Sequence, residues 1–596
     1  MTAHEALKTY FGYDNFRPLQ EEIIQSILDG RDTLALMPTG GGKSLCFQVP
    51  TMAMGGLCLV ITPLIALMKD QVENLRRRDI RAATIYTGMT YEQQKVALDN
   101  CQWGPYHFLY VSPERLESEE FRERLARLPI CLIAVDEAHC ISQWGYDFRP
   151  SYLKIAEIRE VIRGERQKGD EARRQAVPIL ALTATATPDV VDDIQERLAF
   201  REKNVLRKSF LRQNLSYVVR QTNKKADEIV HILSRVPGSA IVYVRNRQRA
   251  QELAAYLNEK GLSADFYHAG LTSQERAAKQ EAWRTYPHPL PKGKGVTRVM
   301  VSTNAFGMGI DKPDVRMVIH HDLPDTIEAY FQEAGRAGRD EQRAFAVLLY
   351  DPSQDKAKAR KRIADNYPPK EFVTDVYHKT CDFLGVGAGS GQGHTFMLPI
   401  NDLCRIMHLP ILQTYSALHL LTQAGYICFQ EEQEIQPRVK ILISQREMNE
   451  YGLSEQQYKL LELLMRKYSG IFTDLQYVHF DQLTTPITNS PSPMANRQSL
   501  DDLLVSLAQR HIITYIPHDT ANTLTFTRER QTDIYLPTTI YDNHRQQYIE
   551  KLKAMVEYAD NQLYCRSQLL LSYFGETDAA TCGTCDVCRQ KTKTQC

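Results

Sequence analysis

A loop reading Met37-Pro38-Thr39-Gly40-Gly41-Gly42-Lys43-Ser44, directly after the apolar run Leu34-Ala35-Leu36, constrains this chain more than any other segment. Glycines there let the backbone curl until its N–H groups converge on an anion, and a helix starting near Lys43 adds its positive end. Such a loop requires a strand before it and a helix behind it, the beginning of an α/β layer. Within it Thr39, Gly40, Gly41 and Gly42 form the cradle, Lys43 neutralises the β- and γ-phosphates of a nucleotide, and the Ser44 hydroxyl is a Mg2+ ligand. A second apolar run, Leu132-Ile133-Ala134-Val135, ends in Asp136-Glu137-Ala138-His139. Asp136 is placed to hold Mg2+, and Glu137 to orient or deprotonate the attacking water. A glycine-rich turn or an acidic loop capping a strand is common by itself. Both in this order, each behind an apolar strand, point to a nucleoside triphosphatase with its two halves separated by α/β structure.

The 596 residues exceed what one core serves, so about three to five domains are expected. Seventy-two basic residues balance seventy-two acidic ones. That neutrality neither supports nor excludes nucleic acid, because a local basic groove and not the sum attracts phosphates. No apolar stretch of signal length or of membrane-spanning length occurs, so export and a membrane are not expected. Most of the 13 cysteines are scattered among apolar neighbours and read as reduced core residues. Cys565, Cys582, Cys585 and Cys588 are different: their C-x16-C-x2-C-x2-C spacing lets four thiolates converge on one Zn2+. An iron–sulfur cluster or unliganded thiols are the alternatives.

From about residue 20 to 205, strand candidates alternate with amphipathic helices: 33–37, 56–61, 81–86, 107–111, 132–135 and 179–182. A second series starts near Ser239, with strands at 241–244, 264–268, 298–302, 317–320 and 344–349. Each series predicts a parallel sheet with helices on both faces. After Asp351 the pattern changes. Residues 398–430 read as short helices followed by an apolar strand, compatible with a winged helix-turn-helix; 454–540 reads as a repeat, with 511–517 and 524–528 as a hairpin around a polar turn. A plain helical linker domain is the alternative.

These residues resemble the RecQ family of DNA helicases, members of helicase superfamily 2, through most of the first 350 residues. Phe11-Gly12-Tyr13 and Phe16-Arg17-Pro18-Leu19-Gln20 look like that family's adenine-recognition segment, which implies that Gln20 reads the adenine edge with Arg17 nearby. Pro63-Leu64-Ile65-Ala66-Leu67-Met68-Lys69-Asp70-Gln71 and Val111-Ser112-Pro113-Glu114-Arg115 look like its DNA-backbone contacts. Ser142-Gln143-Trp144-Gly145-Tyr146-Asp147-Phe148-Arg149-Pro150 looks like its aromatic loop, which senses single-stranded DNA. Trp144 and Phe148 offer flat faces for bases and Arg149 meets phosphate or stacks, with a packed loop as the alternative. His139 in the acidic box, with Thr183 and Thr185 in Thr183-Ala184-Thr185-Ala186-Thr187, matches the element coupling hydrolysis to lobe motion. Gln332-Glu333-Ala334-Gly335-Arg336-Ala337-Gly338-Arg339-Asp340 places two arginines three apart, on one face if helical, able to cross a cleft or simply to form surface ion pairs. By resemblance Arg339 is the arginine finger, assisted by Arg336 and Gln332. Glu341 replaces the glycine common after Asp340, and the finger is expected to stay intact.

The resemblance implies an α/β fold: two tandem RecA-like parallel-sheet lobes, small helical or winged-helix-like modules, and a C-terminal zinc-binding subdomain. The expected divisions are 1–205 (ATP-binding lobe), 206–352 (second lobe), 365–440 and 441–545 (winged modules), and 546–596 (helix and zinc subdomain). Residues 353–564 separate the zinc set from the second lobe, which departs from the common family order and leaves the strand-separating role of the winged modules open. The implied activity is ATP-dependent 3′-to-5′ unwinding of duplex or forked DNA in recombination and repair, using ATP, Mg2+ and Zn2+. The implied partners are single-stranded and forked DNA, a single-strand-binding protein or a topoisomerase, and the implied location is cytoplasmic at the nucleoid, given a bacterial source. A DNA translocase or strand-annealing factor with little strand separation is the alternative from another class, and an RNA helicase is a third.

Overall fold

Short apolar runs with no polar alternation demand burial on both faces, and helix-covered parallel sheets supply it. The structure, a computed structural model, describes every residue except 39, 87, 88, 90, 143–148, 168–176, 288–296, 308–311, 436, 445, 446, 450, 469, 473–475, 479, 481, 482, 484–492, 511, 517, 518, 595 and 596. The chain divides into two compact units, residues 1–360 with 546–596, and 361–545. In the first unit, β1 (Thr33–Leu36), β2 (Leu57–Ile61), β3 (Ala82–Ile85), β4 (Phe108–Val111), β5 (Ile130–Val135), β6 (Ile179–Thr183) and β7 (Val205–Arg207) form one sheet in the order 3-4-2-5-6-1-7. Every described pairing in it is parallel. Leu34, Leu59, Leu109, Ile133 and Leu180 are wholly buried between the helical layers.

A second parallel sheet holds β8 (Leu215–Gln221), β9 (Ser239–Tyr243), β10 (Ala264–Tyr267), β11 (Val299–Ser302), β12 (Val315–His320) and β13 (Ala344–Tyr350), in the order 10-11-9-12-13-8. The chain thus has two RecA-like lobes joined through residues 208–214. The strands expected at 33–37 through 344–349 coincide with β1–β6 and β9–β13. The edge strands β7 and β8 were not anticipated, because Val205–Arg207 is half-buried throughout and β8 runs out into exposed Arg220 and Gln221.

Asp32 at the start of β1 is a buried charge whose full pairing explains its tolerance. Its carboxylate accepts two hydrogen bonds from Arg159 Nη2 (3.0 and 2.9 Å), one from Arg201 Nε (3.1 Å), and one each from the backbone N–H of Ile179 and Arg201 (3.0 Å). Burial raises its pKa, but the Arg201 hydrogen bonds and the Arg159 charge outweigh that and hold it below the ordinary carboxylate value. Asp32→Ala strands the buried Arg159 charge, so a loss of about 3–5 kcal/mol is expected in the first lobe's unfolding transition. The contribution is present in full above the ordinary carboxylate range and disappears as pH falls through the depressed native value, which urea unfolding at several pH values would read.

In the second unit, β14 (Thr395–Leu398), β15 (Ile427–Ile435) and β19 (Asp519–Phe526) make an antiparallel sheet with β19 in the centre. The helices Lys370–Phe383, Ile400–Ile406 and Ile411–Gln423 cover it through Val376, Leu403, Leu418 and Leu421. Between β15 and β19 the chain makes a separate core from helices Glu455–Lys467 and Pro493–Gln509 and the strands β16 (Arg438–Ile441), β17 (Gln476–Tyr477) and β18 (Ile513–Ile516), ordered 17-16-18. The pairing differs from two successive modules divided at 440/441. The strand at 524–528 does not form a hairpin with 511–517: β18 pairs with β16, whereas β19 returns to β14 and β15. The reason is apolar burial. Leu524 and Phe526 fill the core of the first module and Ile513 fills that of the inserted one. Among the described residues no helix is long and apolar enough to cross a membrane.

Candidate nucleotide site and zinc cluster

In the first sheet β6 lies between β1 and β5, so the phosphate loop and Asp136-Glu137 emerge on the same edge, two strands apart. Ligands of open parallel sheets bind at these carboxyl ends. Gly40 and Gly42 take left-handed φ values of 78° and 81°, and the following helix, Leu45–Met54, starts two residues later than the expected Lys43. Gly42 is favoured by its conformation, and a Cβ there would also displace the end of Gln20, lying 2.4 Å from its Nε2. That amide donates to Gly42 O (3.0 Å), Gln20 Oε1 accepts from Arg17 N (2.9 Å), and Arg17 Nη1 donates to Gly40 O (3.0 Å). Gln20 and Arg17, expected beside adenine, thus brace the phosphate loop.

Lys43 Nζ lies 3.8 Å from Glu137 Oε1. Glu137 has a left-handed backbone (φ 47°), a strained conformation for a non-glycine residue that turns its carboxylate back to the loop. Its other oxygen is 3.5 Å from His139 Nδ1, which is 2.9 Å from Thr183 Oγ1; that hydroxyl accepts from Thr185 N (3.2 Å). The residues expected to couple hydrolysis to lobe motion, at the ends of β5 and β6, therefore touch in series. Tyr152, absent from the sequence reading, donates from its hydroxyl to Asp136 O (3.0 Å) and is wholly buried.

Burial, reinforced by the Glu137 charge and opposed by Lys43, pushes the Asp136 carboxyl up to about 6. Burial acts on Glu137 in the same direction, yet Lys43, His139 and Arg336 hold it below the ordinary value. The pair is therefore divided by its surroundings: Lys43 and its neighbours favour the charged form of Glu137, whereas burial and the adjacent Glu137 charge disfavour that of Asp136.

A cavity of about 740 Å3 is lined by Arg17, Gln20, Gly40, Gly42, Lys43, Ser44, Asp136 and Glu137 from the first lobe and by Gln332, Arg336 and Arg339 from the second. Its volume falls in the range of about 300–1,000 Å3 usual for ligand sites. A Cβ on Gly40 would sit 3.1 Å from Arg339 Cγ, so this arginine lies directly over the phosphate loop. Arg336 donates from Nη1 to Gly307 O. Contrary to the expected helical spacing, neither arginine is on a helix. Helix Ile327–Ala334 stops before Gly335, and Arg336 N and Ala337 N bond three residues back, to Glu333 O and Ala334 O. That bonding stops at Ala337: Gly338 turns left-handed (φ 61°) and donates to Val315 O (2.8 Å), so a turn, and not a shared helical face, lies between Arg336 and Arg339. Glu341 has φ 63°, a conformation that the common glycine takes without strain, and Arg339 reaches the cavity all the same.

Asp70 and Gln71, from the segment expected at the DNA backbone, line the nucleotide cavity together with Leu67, Asn74 and Arg78. Their spacing along helix Ile65–Arg76 and just beyond it is that of one helical face, the signal that could have found them. Arg149 Nη1 is 3.7 Å from Glu114 Oε1 and 3.5 Å from Pro63 O, so three segments expected to meet DNA converge. Thr39, Trp144 and Phe148 lie outside the described residues; Gly41 is in the loop, where a Cβ would stand 2.9 Å from Pro38 O.

The sulfurs of Cys565, Cys582, Cys585 and Cys588 all lie within 4.8 Å of one another. Zn–S bonds of about 2.3 Å in a tetrahedron place sulfurs about 3.8 Å apart, so the set fits one Zn2+. Backbone N–H groups of Cys582, Cys585 and Cys588 point at Cys565, Cys582 and Cys585 sulfurs (3.3, 3.3 and 3.4 Å), as suits thiolates. Arg566 forks onto Asp586 (3.1 Å from both Nε and Nη2), and Asp586 accepts from Val219 N of β8 (3.3 Å), fixing the cluster to the second lobe. Four ligands leave no open position, which makes the site structural. Cys585→Ser is expected to lower bound zinc below about half an equivalent and unfold this subdomain while the first-lobe site stays formed. Elemental analysis with nucleotide-binding measurements checks it; a full equivalent retained would contradict it.

Residues 17–194 match the DEAD/DEAH box helicase model, 224–341 the helicase conserved C-terminal domain and 521–589 the RecQ zinc-binding model. The chain is 41% identical over 353 residues to the ATP-dependent DNA helicase RecQ of Haemophilus influenzae, covering 59% of this chain and 54% of that one. It is 40% identical over 353 residues to the probable ATP-dependent DNA helicase RecS of Bacillus subtilis, covering 58% and 66%. With two RecA-like lobes around a phosphate-loop cleft and a four-cysteine cluster on the second lobe, the chain belongs to the RecQ family of superfamily 2 helicases. It spans about half the length of the first of these curated relatives.

Proposed function

We propose that this protein is an ATP-dependent DNA helicase moving 3′ to 5′ on single strands and opening duplex or forked DNA. The observation that carries the reading is the composition of the cleft. Lys43, Asp136 and Glu137 come from one lobe and Gln332, Arg336 and Arg339 from the other, around one cavity. Hydrolysis there requires both lobes, so the nucleotide state becomes a lobe position.

Lys43 and the loop N–H groups hold the β- and γ-phosphates. Glu137, kept ionised chiefly by Lys43, takes the proton of the attacking water, and Arg339 stabilises charge on the transferred group. The hard oxygen donors Ser44 and Asp136 suit Mg2+, and the raised Asp136 carboxyl is a group that a cation would satisfy; when bound, Mg2+ neutralises phosphate oxygens. His139, Thr183 and Thr185 link Glu137 to the strand ends on the face where Arg149, Glu114 and Pro63 meet. Trp144 and Phe148 carry the single-strand contact in this reading. The names of the relatives, DNA helicases, support DNA as substrate, and the polarity, the repair and recombination role, and a single-strand-binding protein or topoisomerase as partner rest on family resemblance alone.

Strand release from duplexes carrying a single 3′ or 5′ tail tests the proposal. Release with ATP from the 3′-tailed duplex is expected; preferential release from the 5′-tailed one would overturn the polarity. ATP hydrolysis with no release from either would identify a translocase or annealing factor instead.

A further inference from the structure

We infer that the turn Phe574-Gly575-Glu576, between the zinc ligands Cys565 and Cys582, clamps the covalent connection between the lobes, and that Glu576 is a positioning residue for closure of the nucleotide cleft. The inference rests on the ATPase reading above and assigns the zinc subdomain a part in it. The two lobes are joined through residues 208–214, after β7 and before β8. Glu576 holds that connection with both carboxylate oxygens: one accepts from Phe210 N (2.7 Å) and the other from Ser209 Oγ (2.7 Å). Hydrogen bonds to an ionised acceptor are the stronger kind, and two on one carboxylate fix direction as well as distance.

The same turn touches both lobes. On the first-lobe side Arg207 Nη1 donates to Phe574 O (3.4 Å), and a Cβ on Gly575 would lie 3.0 Å from Pro188 Cγ, with φ 85° at the glycine. Pro188 begins helix Pro188–Arg197, directly behind the Thr183–Thr187 coupling segment. The wholly buried Phe574 ring packs on Phe210 of the connection itself (5.3 Å between centroids) and, on the second-lobe side, on Phe331 (5.0 Å). Phe331 immediately precedes Gln332 on helix Ile327–Ala334, whose end delivers Arg336 and Arg339 to the cavity. Any rotation of the second lobe about residues 208–214 therefore turns on a pivot held by Glu576 and Phe574. Removing the carboxylate should leave the phosphate loop and nucleotide binding intact, yet widen the range of lobe positions and misplace the arginines when the cleft closes.

The test compares Glu576→Ala and Glu576→Gln with the full-length wild-type protein. ATP hydrolysis saturated with single-stranded DNA is followed together with zinc content, melting temperature and the interlobe distance distribution between fluorophores at exposed Lys95 and Lys260. Glu576→Ala is expected to keep its zinc and its KM for ATP, lower kcat about tenfold, and broaden the distance distribution with a non-hydrolysable ATP analogue bound. Glu576→Gln, which retains an acceptor for Phe210 N, should recover most of kcat. Unchanged kcat and distances in Glu576→Ala would overturn the proposal, as would a loss of kcat that merely tracks lost zinc and melting temperature. A wild-type protein that hydrolyses no ATP would instead count against the ATPase reading, while the distance distribution would still decide the clamp.

Discussion

Glu137→Gln is expected to lower kcat for ATP hydrolysis about 10²- to 10⁴-fold, the usual worth of a positioned general base. The amide keeps the volume and the left-handed turn at this position, so ATP should bind with a KM within a few-fold of wild type. It cannot carry the negative charge that Lys43, His139 and Arg336 maintain on Glu137. Lys43→Ala should differ, because it removes the cation proposed to face the phosphates, 3.8 Å from Glu137, and so should weaken binding as well as turnover. Steady-state hydrolysis with saturating single-stranded DNA separates the two. A Glu137→Gln protein turning over at the wild-type rate would remove Glu137 from the role of base.

Arg339→Ala should be comparably severe, with a fall in kcat of about 10³- to 10⁵-fold where an arginine finger acts. Its aliphatic stem lies over Gly40 and its side chain lines the cavity, so it reaches from the second lobe to the phosphate loop. Loss of this group removes charge stabilisation that matters in the transition state more than in the ground state, so nucleotide binding should persist. Arg336→Ala is expected to differ in kind. Arg336 also donates to Gly307 O, and its loss should disturb the second-lobe loop as well as the cleft. Binding of a fluorescent ATP analogue alongside kcat resolves these effects. A change of less than about threefold in kcat for Arg339→Ala would make it an ordinary cleft arginine.

The sheets and both halves of the cleft were legible because each rests on a local pattern. Strands buried on two faces, such as β5, read as unbroken apolar runs, and the phosphate loop and Asp136-Glu137 announce themselves at their ends. What was missed depends on partners distant in sequence. β8 is an edge strand with a half-exposed pattern. The return of β19 to β14 and β15 is set by where Leu524 and Phe526 find an apolar core, which alternation alone does not reveal. Asp32 reads as an acid before a strand until Arg159 and Arg201 close around it. Asp70 and Gln71 carry a helical-face signal, but which way that face points is decided only by the lobe around it. Arg336 and Arg339 line the cavity although the helix expected to carry them ends at Ala334, because a left-handed turn at Gly338, bonded to Val315 of β12, sets the second one, and spacing alone does not reveal such a turn.

The central claim is that the interlobe cleft is an ATPase governed by DNA. It is tested most directly by the steady-state ATP hydrolysis rate of the purified full-length protein, titrated with single-stranded DNA and with RNA of the same sequence, against Glu137→Gln. The account predicts hydrolysis that rises manyfold and saturates with DNA, responds weakly to RNA, and collapses in Glu137→Gln. A rate indifferent to DNA, equal stimulation by RNA, or hydrolysis that survives in Glu137→Gln would contradict it.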